Sequence, residues 1–160
     1  MDDTAAMRLA IGAAQQAVGF GEWPFAAVLL DPAGAVRLTL ADTVARDRDP
    51  TAHAEARLIQ QALKRIGPDL TGFTLVATTE PCPMCFTACW LARCRRLVYG
   101  TTMAEVAALT GGKPEELRYP AARLNHFPDR RLEIVGGVLR DECLSLFEAA
   151  VSRPPTAVAM

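Results

Sequence analysis

The sequence predicts an α/β domain in which helices cover a layered sheet. Strand-like and helix-like segments alternate along the chain, and in its latter half helices separate the strands, which implies parallel pairing. The first two strands are joined by a short turn, which makes them an antiparallel hairpin. Residues 3–19 read as the first helix, with Ala6, Leu9, Ala10, Ala13, Ala17 and Val18 tending to one side. Gly19-Phe20-Gly21 ends it. Ala26–Leu30 and Val36–Leu40 are the hairpin strands, with Asp31-Pro32-Ala33-Gly34 as the turn. A polar loop, Asp42 to Asp49, leads to a helix over about 51–66, with Pro50 near its first position and Gly67-Pro68 as its stop. Phe73–Thr79 reads as a buried strand, and Pro81–Cys85 opens a helix that runs to about Ala92. Arg96–Tyr99 and Leu132–Val135 are further strands, and helices cover about 103–109 and 139–151. Residues 111–130 carry no dominant pattern.

The chain of 160 residues, 51% hydrophobic and 22% charged, fits one domain over residues 1–150 followed by a tail over 151–160. No apolar run approaches the roughly 20 residues of a membrane span. The start, Met1-Asp2-Asp3, lacks the basic residues of a secretory signal. Five cysteines, two of them in a CxxC, fit a reduced, cytoplasmic, metal-binding protein better than a disulfide framework. A formal net charge of −1 argues against a grip on long nucleic acid. The densest basic cluster, Arg93-Cys94-Arg95-Arg96, reads as a solvated helix end favoured by the helix dipole.

The chemistry-bearing segments are His53-Ala54-Glu55 and Pro81-Cys82-Pro83-Met84-Cys85. Structural zinc sites close with four protein ligands, whereas catalytic ones use three and leave a position for water. His53, Cys82 and Cys85 are three good ligands, and Glu55 is a carboxylate to spare. Cysteines three apart meet on one side of a helical turn, and a helix N-terminus favours the thiolate that ligates. The His-x-Glu spacing turns the two side chains roughly 200° apart on an ideal helix. Glu55 is therefore not expected to ligate beside His53, though it can reach the substrate side and move protons there if the first turn points into the pocket. Other readings stay open. A lone CxxC also fits a redox pair, or part of a four-ligand structural zinc site with Cys89 or Cys94 as the fourth ligand. Cys89, Cys94 and Cys143 read more simply as small buried residues, and His126 as a surface or loop residue.

Together, Asp49-Pro50-Thr51-Ala52-His53-Ala54-Glu55 and Glu80-Pro81-Cys82-Pro83-Met84-Cys85 match the His-x-Glu … Pro-Cys-x-x-Cys signature of zinc-dependent base deaminases. With Gly21-Glu22-Trp23-Pro24-Phe25, Leu97-Val98-Tyr99-Gly100 and Asp141-Glu142-Cys143, the chain resembles the cytidine deaminase-like superfamily over roughly residues 5–150. The resemblance is to the branch of guanine deaminases, nucleoside deaminases and tRNA adenosine deaminases. It implies a three-layer α/β/α sandwich around a mixed five-stranded sheet. It implies one zinc ion per subunit on His53, Cys82 and Cys85, Glu55 as the catalytic proton shuttle, and a homodimer whose subunits complete each other's pocket. Substrate contacts are expected from Asp42, Phe25, Ala54, Glu80 and Pro81, although core packing for Phe25 and helix capping for Glu80 are competing roles. Glu115-Glu116 are weaker candidates for approach to the pocket.

Asp42 stands where the family's usual residue is asparagine. An amide donates and accepts, whereas an ionised carboxylate only accepts, so Asp42 favours a ring edge that presents N–H donors or a cationic heterocycle. Pro83 and the stretch Ala88–Arg93 resemble guanine and nucleoside deaminases more than the tRNA enzyme, and no basic C-terminal extension of the RNA-binding kind is seen. The expected activity is hydrolytic removal of the exocyclic amine of a free nucleobase, nucleoside or related heterocycle, with ammonia released and no nucleic-acid or membrane partner. Deamination of tRNA adenosine and a catalytically silent zinc scaffold are the alternatives.

Overall fold

A computed structural model describes residues 1–152. Asp2 opens the first helix, its carboxylate accepting from the Ala5 N–H at 2.7 Å, and α1 then runs Asp3–Gly19. Its buried stripe is Ala6, Met7, Ala10, Ile11, Ala14 and Ala17, so small residues let the helix lie close to the sheet. This stripe is rotated from the one the sequence predicts, and Leu9 is exposed. The hairpin forms as expected from β1 (Ala26–Leu30) and β2 (Val36–Ala41). Its turn is tied by Asp31, whose carboxylate accepts from Ala33 and Ala35, and by Gly34 at φ 79°, a conformation that favours glycine.

The predicted polar loop contains a short helix, α2 (Val44–Asp47), and the next helix, α3 (Ala54–Arg65), starts three residues later than predicted. The delay has a local cause. Asp49 accepts from both the N–H and the hydroxyl of Thr51, and its carbonyl accepts from Ala52. The Asp-Pro-Thr segment thus folds as a side-chain-tied turn, and the helix begins after it. Next come β3 (Thr74–Thr79), α4 (Pro83–Leu91), β4 (Arg96–Thr101) and α5 (Met103–Thr110). The unpatterned stretch carries α6 (Ala121–Leu124), followed by β5 (Glu133–Gly136) and α7 (Arg140–Ser152). Of the tail expected over 151–160, Val151 and Ser152 close α7, and the rest lies outside the described residues.

The sheet order is β2-β1-β3-β4-β5. β1 is antiparallel to both β2 and β3, while β3, β4 and β5 run parallel. Central β1 and β3 are buried at every residue, as strands covered on both faces must be, whereas edge β2 and β5 are partly exposed. One face packs on α1 and α7 through Met7, Ala10, Val28, Val76, Val98 and Phe147. The other packs on α3 and α4 through Leu58, Ala62, Leu75, Ala77, Phe86 and Leu97. The result is the three-layer α/β/α sandwich with a mixed sheet. Among the described residues, no helix is long and apolar enough to cross a membrane.

Candidate metal centre

Two helix N-termini meet beyond the C-terminal end of β3. His53 is the N-cap of α3 and Cys82 the N-cap of α4, with Pro83 at the first helical position. Neither side chain caps its own helix, so both are free to turn toward one another. Cys85, one turn into α4, joins them. His53 Nδ1 lies 3.7 Å from each of the two sulfurs. The three ligating atoms lie within 4.8 Å of one another, and no other such group of histidine, cysteine and acidic residues occurs among the described residues. Tetrahedral zinc with bonds of about 2.3 Å to sulfur and about 2.0 Å to nitrogen would separate those atoms by about 3.6 Å. The donor set and its spacing therefore fit zinc. Cys89 and Cys94 are buried in the packing between α4 and the sheet, and exposed His126 lies apart from the group.

Glu55, in the first turn of α3, is 6% exposed, and its Oε2 lies 3.7 Å from Cys85 Sγ. The ideal-helix angle between His53 and Glu55 does not apply, because His53 is extended (ψ 146°) and only Ala54 onward is helical. Both side chains thus reach the same place. Burial raises Glu55 to about 7, against the opposing pull of His53. His53 itself is raised to about 9: burial pulls it down, but Cys82, Glu55 and Asp42 outweigh that. The Cys85 thiol and His53 hold Cys82 down at about 4, against burial. Thr79 Oγ1, at the end of β3, is buried without a hydrogen-bond partner among the described residues. By strand alternation it shares the face of Leu75 and Ala77, which looks toward α3 and α4.

Asp42 follows β2 and is 4% exposed. Its N–H donates to the Phe25 carbonyl at 2.9 Å, and its carboxylate receives only a long bond, 3.4 Å, from the Val44 N–H. Burial raises it to about 7, with His53 opposing and Glu22 adding to the rise. Glu116 also feels Cys82 and His53, and is raised to about 7 mainly by burial.

The remaining expected contacts are placed as follows. Ala54 is fully buried against the sheet and Pro81 is buried beside Cys82. Phe25 is half-buried and packs edge-on against Phe147, with ring centroids 5.2 Å apart. Glu80 is buried, with its carboxylate accepting from the Ala121 N–H at 2.9 Å and the Met103 N–H at 3.4 Å. It ties α5 and α6 to the end of β3. Sequence reasoning gave no role to Glu22 or Arg57, which hold the Asp42 loop. Glu22 accepts from the Ala45 and Arg46 N–H groups at 2.9 and 2.7 Å, and Arg57 donates to the Ala41 carbonyl at 3.0 Å. A glutamate inside an apolar segment, Gly-Glu-Trp-Pro-Phe, was the available signal, because a buried carboxylate needs donors.

The cytidine and deoxycytidylate deaminase zinc-binding region matches residues 1–101. The chain belongs to this deaminase family. Among its relatives, a tRNA(Ile)-lysidine synthase of Deinococcus deserti is 36% identical over 154 residues, covering 93% of this chain and 28% of that protein. The corresponding Deinococcus radiodurans synthase is matched over only 19% of its length, so this chain spans less than a third of either synthase. A tRNA-specific adenosine deaminase of Haemophilus influenzae is 34% identical over 146 residues, covering 88% of this chain and 78% of that protein. Among solved structures, a guanine deaminase from Nitrosomonas europaea superposes with a TM-score of 0.83 at 24% identity, covering 93% of this chain and 84% of that one. The guanine deaminase of Bacillus subtilis gives a TM-score of 0.62 at 27% identity, covering 98% of each chain. His53, Cys82 and Cys85 thus form a potential zinc site in a member of a zinc-binding deaminase family.

Proposed function

We propose that this protein is a zinc-dependent hydrolytic deaminase that converts an aminated heterocycle, a free nucleobase or nucleoside most like a guanine deaminase substrate, to the corresponding carbonyl compound and releases ammonia. One observation carries this reading: three ligating atoms at zinc spacing with a buried carboxylate, Glu55, 3.7 Å from one of them. Zinc held there supplies a Lewis acid that makes water a stronger acid and nucleophile. Glu55 takes one proton from the attacking water and gives it to the ring nitrogen, then passes the second, from the hydroxyl left on the carbon, to the amine, so that the carbonyl forms as the C–N bond breaks and ammonia leaves. Burial raises Glu55 above the ordinary carboxylate range, which favours its taking up a proton.

When ionised, above about pH 7, Asp42 orients the ring by accepting from an N–H and disfavours a carbonyl facing it by about 1–3 kcal/mol. Phe25 and the backbone at Ala54 and Pro81 shape the apolar walls, and Glu80 fixes the loop that closes them. The exposed Leu91, Leu117 and Phe127 offer apolar surface for a homodimer contact. Ammonia release from aminopurines, nucleosides, aminopyrimidines and aminotriazines by the zinc-loaded protein tests the reading. Asp42→Asn is expected to shift preference toward rings with a carbonyl at that edge. Silence across the whole panel would reject small-heterocycle turnover.

A second reading, deamination of tRNA adenosine, is favoured by the Haemophilus influenzae relative, which is named for that activity. Its discriminator is binding of an anticodon-stem RNA with steep salt dependence, together with turnover of adenosine in that RNA and not in free bases. A zinc scaffold without turnover would leave every substrate unchanged while retaining the metal.

A further inference from the structure

The Arg93-Cys94-Arg95-Arg96 cluster lies just after α4, where Arg93 and Arg95 are largely exposed, and it has basic neighbours from elsewhere in the chain. The turn between α4 and β4 brings Arg93 and Arg95 beside Arg130 and Arg131, which precede β5, around a cavity of about 310 Å³ that also includes Thr71 and Gly72. The parallel register places all of them at the N-terminal ends of β3, β4 and β5. The six residues of β3 separate this cavity from the candidate zinc site, roughly 20 Å of strand.

Four arginines line it, and two carboxylates, Asp69 and Glu133, offset them only in part. Arg93 meets Asp69 at 3.6 Å and Arg95 meets Glu133 at 3.6 Å, both between largely exposed side chains. Glu133 is shared with Arg96, which it meets at 3.0 Å. Arg130 is held by the carbonyls of Cys94 and Trp90 and lies 5.0 Å above the Trp90 ring, so its orientation is fixed by neutral groups. Arg131 has no carboxylate partner among the described residues. Four like charges from segments nearly forty residues apart, offset in part by Asp69 and Glu133, leave a net positive site that a further anion would neutralise. Planar guanidinium forks match phosphate oxygens in pairs, better than they match a single point charge. The volume is near the lower end of the range that holds small organic ligands.

We propose that this cavity binds a phosphate group, carried either on a free mononucleotide or on an RNA backbone. The site is separate from the deamination chemistry, so it stands or falls independently of that reading.

Binding of pyrophosphate, guanosine monophosphate and a short RNA hairpin to the zinc-loaded full chain tests it by calorimetry at about 50 mM salt, with unphosphorylated guanosine as the control. At least one phosphate-bearing probe is expected to bind, and the Arg95→Gln/Arg131→Gln double variant to bind it about tenfold more weakly. Both side chains are exposed, so the variant keeps the wild-type unfolding midpoint and its ammonia release without phosphate ligand. Preference for the mononucleotide identifies a free nucleotide, and preference for the hairpin with steep loss of affinity on adding salt identifies RNA. Absence of binding to all three probes at about millimolar concentration overturns the proposal. Equal affinity of wild type and double variant for every probe overturns it as well.

Discussion

The two ends of β3 hold opposite chemistry in opposite surroundings. At the C-terminal end, Asp42, Glu55 and Glu80 are 4%, 6% and 6% exposed. At the N-terminal end, the Arg93 and Arg95 side chains are 61% and 68% exposed. In the buried end loss of hydration dominates: burial raises Asp42 and Glu55 to about 7. In the exposed end water screens each pair, and ion pairs there contribute only about 0–1 kcal/mol. The contrast shows that burial, more than the number of charges, decides how much one side chain matters. It also orders the expected size of substitutions.

The largest effect belongs to Glu55→Gln. It keeps size and polarity but removes the proposed proton carrier, so kcat is expected to fall by about 10²–10⁴-fold, the usual contribution of a general acid–base group. Zinc content per chain, read by elemental analysis, should stay at the wild-type level, because Glu55 is not among the three grouped ligating residues. A comparable loss of metal would instead make Glu55 part of the ligand set.

Glu80→Ala comes next and tests whether the buried end depends on backbone tethering. The substitution leaves the Ala121 N–H, now bonded at 2.9 Å, without its acceptor, and also removes the weaker partner of Met103. An orphaned buried amide costs about 1–3 kcal/mol, so the urea midpoint should drop correspondingly. Glu80→Gln retains one carbonyl acceptor and should lose less. Equal midpoints for the alanine variant and the wild type would mean that water replaces the carboxylate without loss.

Glu105 gives a smaller effect with a definite pH signature. Its carboxylate completes a capping box with Thr102 and pairs with Arg140 at 2.6 Å. The Thr102 N–H, together with Arg140 and the Thr101 and Thr102 hydroxyls, lowers it from 4.5 to about 2, against the opposing effect of burial. A depressed folded-state value means that the unfolded chain takes up the proton first as pH falls. The stabilisation is therefore complete above 4.5 and disappears progressively down to about 2. Denaturation midpoints of wild type and Glu105→Gln should differ at neutral pH and converge across that window. A constant gap would show that the charge contributes nothing beyond the cap.

The same contrast explains what could be read from the chain before folding. The alternation of elements, the Asp31–Gly34 turn and the Cys82–Cys85 spacing are local signals, while the joining of His53 to them was legible only through the paired motifs, and the observed sheet and the sulfur–nitrogen distances agree with both. The late start of α3 was hidden because the Asx-type turn at Asp49 competes with helix formation through side-chain bonds. The convergence of Arg93 and Arg95 with Arg130 and Arg131 was hidden because it depends on β4 pairing with β5 across a patternless stretch. Glu22 and Glu80 were visible as acids near apolar residues, but their backbone partners, at Ala45, Arg46, Met103 and Ala121, lie on elements that only the tertiary structure brings near.

Arg95→Gln sets the lower bound on the comparison. Its only ion pair among the described residues is a 3.6 Å contact with Glu133, itself half exposed and already held at 3.0 Å by Arg96. Removing the Arg95 charge relieves repulsion from Arg93, Arg130 and Arg131 while losing that weak pair. The two changes oppose each other, and the net shift in unfolding free energy should lie within about 0.5 kcal/mol of zero. Added salt sharpens the result. Screening weakens the repulsion in the wild type and has less to act on in the variant, so any stabilising effect of Arg95→Gln should shrink as salt rises. A loss above about 2 kcal/mol, measured by urea denaturation, would mean that the exposed end is held as tightly as the buried one and that burial does not separate them.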